Sequence, residues 1–358
     1  MRDFGAILTG VAHTEKADAM HKVVRMNSRA MPVHDGELEI LRSAGADVAM
    51  IEGATEDEVV EAASDCEALM VCGGYVRRPV VDALDRCRII SRMGIGTDKI
   101  DVERATARGI VVTNVPDFCT SEVADHTMAL LLAAARQLPL WERRMREGQG
   151  PGPVFLDSMQ RLGTQTLGLI GLGRIGSAVA SRARAFGMAV IAFDPNLSAE
   201  DAEKVGVEAV DFETVLARSD FLALMCPLTG STRGMLGAAE FKKMKRSAVL
   251  VNTSRGELVD EDALAAALRD GVIRWAAIDV YGCVNVLDPD GFATDHPLFS
   301  LENVIRTPHV AAVSVQALAE ARIRAAEAVA DVLGGRWPKH PVNPEVREVF
   351  ERRTSARR

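Results

Sequence analysis

No apolar run in this 358-residue sequence approaches the ~18–20 residues that a membrane-spanning helix needs. The start, Met1-Arg2-Asp3-Phe4-Gly5, lacks the apolar core and small-residue cleavage site of a secretory leader, so the cytoplasm is the expected compartment. Positive charge is in short supply: 42 Lys and Arg against 50 Asp and Glu leave a formal net charge of -8. Phosphate-rich partners need clustered positive charge, so neither nucleic acid nor an anionic membrane is an expected partner. The basic end from Arg352 to Arg358 is the exception, and it reads as a solvated tail. The six cysteines, Cys66, Cys72, Cys87, Cys119, Cys226 and Cys283, are scattered through apolar segments with no paired zinc spacing. Reduced structural thiols and no metal are therefore expected. No short-period repeat or low-complexity block is evident, and nothing in the first twenty residues specifies a role.

What is present is enough apolar residue, 48% with 26% charged, for about two globular domains. From His21 onward apolar strand-like runs alternate with helix-like stretches, the pattern of a parallel sheet covered by helices. The runs are 22–26, 47–51, 68–72, 88–92 and 110–113, with a helix-like stretch from Gly36 to Ala44 ending at Gly45. Residues up to about 118 thus form one small α/β unit. From Ser121 to about Arg144 a single long helical pattern reads as a spine, with Val123, Met128, Leu131, Leu132 and Leu138 as its apolar positions. The segment Gly148-Gln149-Gly150-Pro151-Gly152-Pro153 breaks it, and a second alternation begins at Thr166.

That second unit opens with the strand-like Thr166-Leu167-Gly168-Leu169-Ile170, then Gly171-Leu172-Gly173-Arg174-Ile175-Gly176, then an Ala-rich helical segment stopping at Gly187. Strand, G-x-G-x-x-G and helix in this order predict a dinucleotide site. The first glycine allows the tight turn, the second lets backbone amides approach a pyrophosphate, and the third lets helix and strand pack closely. The diphosphate would sit on the helix N-terminus, where Arg174 and Ile175 follow Gly173 and unpaired N–H groups favour anions. A further strand, 188–193, ends in Asp194, 23 residues after Gly171. Its carboxylate is placed to accept from the adenosine ribose hydroxyls and to repel a 2′-phosphate, so the expected cofactor is NAD rather than NADP.

Together with Gly94-Ile95-Gly96-Thr97-Asp98, Asn114-Val115-Pro116, Glu122-Val123-Ala124-Asp125-His126, Cys226-Pro227-Leu228-Thr229, Val251-Asn252-Thr253-Ser254-Arg255-Gly256, Ile278-Asp279-Val280 and Thr307-Pro308-His309, these segments resemble the D-2-hydroxyacid dehydrogenase family. The phosphoglycerate dehydrogenase and C-terminal-binding-protein branches are included. The likeness runs over about residues 40 to 345. It implies an α/β protein in which a Rossmann-type nucleotide domain, residues 119–310, is inserted in a flavodoxin-like, discontinuous substrate domain, residues 1–118 and 311–358. It also implies a homodimer joined through the nucleotide domain, with the segment 148–153 in a dimer arm, and a small hydroxy or keto acid as substrate.

Residue by residue, Arg255 resembles the arginine that holds the substrate carboxylate and polarises the adjacent carbonyl. Its planar fork suits a carboxylate and stays charged. The amides of Ile95 and Gly96 match a second clamp on the same anion. His309 resembles the general acid/base, with an unperturbed pKa of ~6.5 that serves both directions. Asp279 resembles the residue that bonds the nicotinamide carboxamide, and Pro227 a backbone bend beside the cofactor. His126 and His296 read as structural.

The pattern fails where the family carries a glutamate that supports the histidine. Five residues after Asp279 stands Val284, and a gapless reading leaves no carboxylate there. A gapped reading matches Asp288-Pro289 to the family's Glu-Pro pair, which makes Asp288 and Asp290 the possible substitute carboxylates. Thr97-Asp98-Lys99 and Ala312 also depart from the usual residues. Reversible hydride transfer between NAD and a D-2-hydroxy acid is the expected function. The alternative is an NAD(H)-responsive binding protein with impaired catalysis.

Overall fold

Among the described residues of the structure, a computed structural model, every strand is parallel to its neighbours, and the strands fall into two sheets. The described residues are 20–27, 29, 31–53, 55–150, 159–286 and 291–356. The first sheet contains β1 (His21–Met26), β2 (Ala46–Ile51), β3 (Ala68–Val71), β4 (Ile89–Arg92) and β5 (Val111–Thr113), in the order β2-β1-β3-β4-β5. That is the flavodoxin-like order. The second contains β6 (Thr166–Ile170), β7 (Ala189–Phe193), β8 (Glu208–Ala209), β9 (Phe221–Leu224), β10 (Val249–Asn252), β11 (Trp275–Ile278) and β12 (Val304–Arg306). Its order, β12-β11-β10-β9-β6-β7-β8, reverses direction between β6 and β9, as in doubly wound nucleotide-binding folds.

Parallel strands are covered on both faces, so they carry continuous apolar runs. Accordingly β3, β9, β10 and β11 are buried at every position. One face of the first sheet packs against the helix Val315–Leu333, whose Ala317, Ala321, Ala325 and Val329 join Val23, Met70 and Ile89 in one core. The chain thus leaves the first sheet, builds the second, and returns to the first. Below the second sheet lies the helix Thr120–Ala135, with Ala124, Met128 and Leu131 against Leu167, Leu169 and Ala277.

The long helical pattern read over 121–144 is two helices, Thr120–Ala135 and Leu138–Arg146. Gln137 between them adopts φ 53°, and Pro139 lies in the first turn of the second, where its missing N–H costs nothing. Among the described residues, no helix is long and apolar enough to cross a membrane.

Candidate active site

The strand-end loops that follow β6, β9, β10, β11 and β12 open on one edge of the second sheet, the carboxyl edge, where such folds bind ligands at the order reversal. Gly171, directly after β6, has φ 100°, and a Cβ there would come within 2.8 Å of the Met225 backbone after β9. At Gly176 a Cβ would overlap the Gly171 carbonyl, which is the close helix–strand approach expected of a third glycine. Gly173 is different: nothing lies within 4 Å of its Cβ position, so the protein's own packing does not require glycine there. The helix Arg174–Ala185 starts at this residue and has no side-chain cap. Open space over uncapped first-turn amides fits a diphosphate. Asp194, at the end of β7, accepts from Leu172 N–H at 3.0 Å with one oxygen and from Asn196 N–H at 2.9 Å with the other. It is tied to the glycine loop and keeps lone pairs for ribose hydroxyls. These residues fit a bound NAD. Pro227 is exposed beyond β9, its carbonyl accepting from Thr232 Oγ1 at 2.8 Å.

Arg255 stands on a turn after β10 that the buried Asn252 holds shut, donating to Arg255 O at 2.8 Å and accepting from Ser254 N–H at 3.1 Å. Ser254 Oγ adds a bond to Cys226 O at 2.6 Å. Its guanidinium crosses to the first domain: Nε donates to Asp98 Oδ1 at 3.0 Å and Nη1 to Ser254 O at 2.6 Å, while Nη2 lies where a Cβ on Gly96 would be. Burial pushes the Asp98 carboxyl up, but the charge and hydrogen bond of Arg255 outweigh it and hold the pKa below the usual range. Nη2 and the amides of Ile95 and Gly96 carry no hydrogen bond among the described residues. The carbonyls of that loop are fixed from behind, Gly96 O by Arg92 Nε at 3.0 Å and Ile95 O by Asn114 Nδ2 at 2.7 Å. A guanidinium beside a glycine loop with two amides that make no hydrogen bond among the described residues suits a carboxylate.

His309 follows β12 with φ 57°, a left-handed backbone that is uncommon outside glycine. Asp279, fully buried after β11, holds that loop. Its Oδ1 accepts from Thr307 Oγ1 at 2.5 Å and Val310 N–H at 2.9 Å, and its Oδ2 from Ala311 N–H at 2.9 Å. Here the side chain expected to face the nicotinamide has both oxygens engaged by the segment carrying His309. Thr307 spends its one proton on Asp279, so His126 Nε2, 3.0 Å from Thr307 Oγ1, must be the donor. Burial lowers the His309 pKa to about 4, helped by the charge of Arg255 and opposed by Asp279, with Lys99 and Arg92 adding to the depression. Val284 is half-buried, while Asp288 and Asp290 lie outside the described residues, as do 151–153 of the expected dimer arm.

A cleft of about 650 Å³ runs from Asp98 along Tyr75, Arg77, Lys99, Leu228 and Arg233. Arg77 and Lys99 both stack on the Tyr75 ring, at 3.9 Å and 4.9 Å from its centre. Sequence reasoning missed Asn252 and His126 as supports of this site, because their partners lie far away in the chain.

A glycine loop that fits a dinucleotide lies on the same sheet edge as the loops that carry Arg255 and His309, the arrangement of a nucleotide-binding α/β protein. Residues 128–311 match the family model described as D-isomer specific 2-hydroxyacid dehydrogenase, NAD binding domain. The chain is 42% identical over 301 residues to a glyoxylate reductase of Korarchaeum cryptofilum, covering 81% of this chain and 87% of that one. It is 40% identical over 314 residues to a D-3-phosphoglycerate dehydrogenase of Methanocaldococcus jannaschii, covering 87% of this chain but only 58% of the relative's length. A D-lactate dehydrogenase from Aquifex aeolicus, solved with NAD and lactic acid, superposes with a TM-score of 0.77 at 26% identity, over 91% of this chain and 98% of the other. This chain belongs to the D-isomer specific 2-hydroxyacid dehydrogenases.

Proposed function

We propose that the chain catalyses reversible hydride transfer between NAD(H) and a D-2-hydroxy acid or its 2-keto acid. The observation that carries this reading is the Arg255 guanidinium laid over Gly96, with His309 within reach of its charge in the loop two strands along the edge that also carries the glycine loop. Arg255 Nη2 and the amides of Ile95 and Gly96 hold the substrate carboxylate. His309 gives its proton to the nascent alkoxide oxygen during reduction and removes the hydroxyl proton in reverse. Bound NAD supplies the hydride acceptor. Asp279, through Thr307, Val310 and Ala311, fixes the loop on which the imidazole stands.

Purified protein with NADH and a panel of 2-keto acids, including bulky and phosphorylated members, tests the reading by absorbance. Turnover is expected with at least about tenfold preference for NADH over NADPH, because Asp194 repels the 2′-phosphate. The cations Arg77, Lys99 and Arg233 along the cleft favour members with a second anionic group. No turnover across the panel sinks the enzyme reading, and equal use of NADPH sinks the role of Asp194.

The homodimer expected from the resemblance is supported by the helix Leu138–Arg146, which buries none of its residues and leaves Met145 73% exposed. A dimeric mass in light scattering is the expected outcome.

A further inference from the structure

Glu261, Cys283 and His296 come together in the structure although they are far apart in the sequence. Glu261 opens the helix Glu261–Arg269, and its two carboxylate oxygens accept from Gly282 N–H at 2.9 Å and Cys283 N–H at 2.8 Å. His296 begins the short turn Pro297–Phe299, and its Nε2 lies 3.3 Å from Asp262 Oδ1. One ligand-type atom each from Glu261, Cys283 and His296 lie within 4.8 Å of one another. None of the three belongs to the nucleotide site or the acid clamp.

We propose that these residues form a divalent-metal site of the zinc class, separate from the dehydrogenase chemistry. Thiolate, imidazole and carboxylate together select zinc over magnesium or calcium, which take oxygen ligands. With zinc bonds of about 2.0–2.3 Å, ligand atoms sit ~3.5 Å apart, so side-chain rotations of about an ångström close the cluster. The carboxylate is already oriented by two backbone amides, the kind of outer support that holds metal ligands in place. Asp262 is highly exposed and free to rotate in as a fourth ligand or to stay as an outer partner of the histidine. Cys283 is exposed, which gives the ion a path from solvent.

Binding makes two demands on protons. The Cys283 thiol must lose its proton to water, because the thiolate is the ligand. The imidazole must carry its proton on Nδ1, giving up the 3.3 Å bond that this nitrogen accepts from Leu298 N–H. The ligands lie at 261, 283 and 296, too widely spaced to form a recognisable motif, which is why the cysteine spacing led to the expectation of no metal. An ion would tie Cys283 and His296 to the helix start at Glu261.

The full chain, stripped with chelator, is titrated with ZnCl2 by calorimetry and with CoCl2 by absorbance. One equivalent and a thiolate-to-cobalt charge-transfer band are expected. Cys283→Ser abolishes the band, and Cys283→Ser and His296→Ala each weaken zinc at least ~100-fold while leaving NADH affinity unchanged. As a check that needs no variant, zinc should protect Cys283 from alkylation, read by mass spectrometry. Binding without a thiolate band, affinity retained in either variant, or an unprotected Cys283 overturns the proposal.

Discussion

Gly96 and Gly173 are both glycines without positive φ, and a Cβ at each would meet opposite surroundings. At Gly96 the space is already taken by the Arg255 guanidinium, so Gly96→Ala must push that group off the clamp. Losing one charge-assisted hydrogen bond costs about 1.5–3 kcal/mol, or ~10–150-fold in affinity. A rise of that size in KM for the keto acid, with NADH affinity unchanged in a fluorescence titration, is expected. If KM does not move, the Arg255–Gly96 packing is not part of acid binding. At Gly173 the space is open within the protein, so Gly173→Val should leave the melting temperature nearly unchanged and abolish NADH binding. Retained affinity in calorimetry would place the diphosphate elsewhere.

At the scale of the element, the strands were legible because parallel strands buried on both faces carry continuous apolar residues. The runs 22–26, 68–72 and 88–92 differ from β1, β3 and β4 by a residue at an end. The helix around 137 was misread because apolar periodicity continued through it, whereas Gln137 in the left-handed region and Pro139 divide it. What periodicity cannot show is a pair between distant elements. Arg25 in β1 is fully buried, with Nε 2.6 Å from Oε1 of the equally buried Glu37 in the helix Asp35–Ser43. In the sequence it was only a charge inside a strand-like run. Removing one partner of such a pair strands the other charge, at a cost of about 3–5 kcal/mol. Glu37→Gln should therefore lower the unfolding free energy in urea by that amount, and a change below about 1 kcal/mol would show that the buried arginine is held without the charge of Glu37. Arg255, Ile95 and Gly96, the residues of the proposed clamp, were picked out by motif, but the cross-domain partner Asp98 and the turn-locking role of Asn252 were not.

Over the whole molecule, the surroundings of His309 come from both domains: Arg92 and Lys99 from the first, Arg255 and Asp279 from the second. Burial and these cations hold its pKa near about 4, so the imidazole is neutral at pH 7 in the free protein. In the proposed reaction it is then a ready base for oxidation and a poor acid for reduction. On the proposed binding mode an incoming carboxylate neutralises Arg255 and raises the histidine pKa, because an adjacent positive charge no longer opposes protonation. Reduction needs the protonated form, so its rate falls as pH rises through this pKa. The limb in kcat, which reports the substrate complex, should lie at higher pH than the limb in kcat/KM, which reports the free protein. Val284 stands where the family resemblance places a supporting glutamate, and a carboxylate there would favour the imidazolium further. Val284→Glu should raise reductive turnover at pH 7 and move the kcat/KM limb upward by about one unit or more, while Asp288→Asn stays nearly silent if the gapless alignment holds. A tenfold loss in Asp288→Asn with no gain in Val284→Glu would assign the support to Asp288 instead. Were neither variant to shift the pH–rate profile, the histidine would take its support from Asp279 and the loop it anchors.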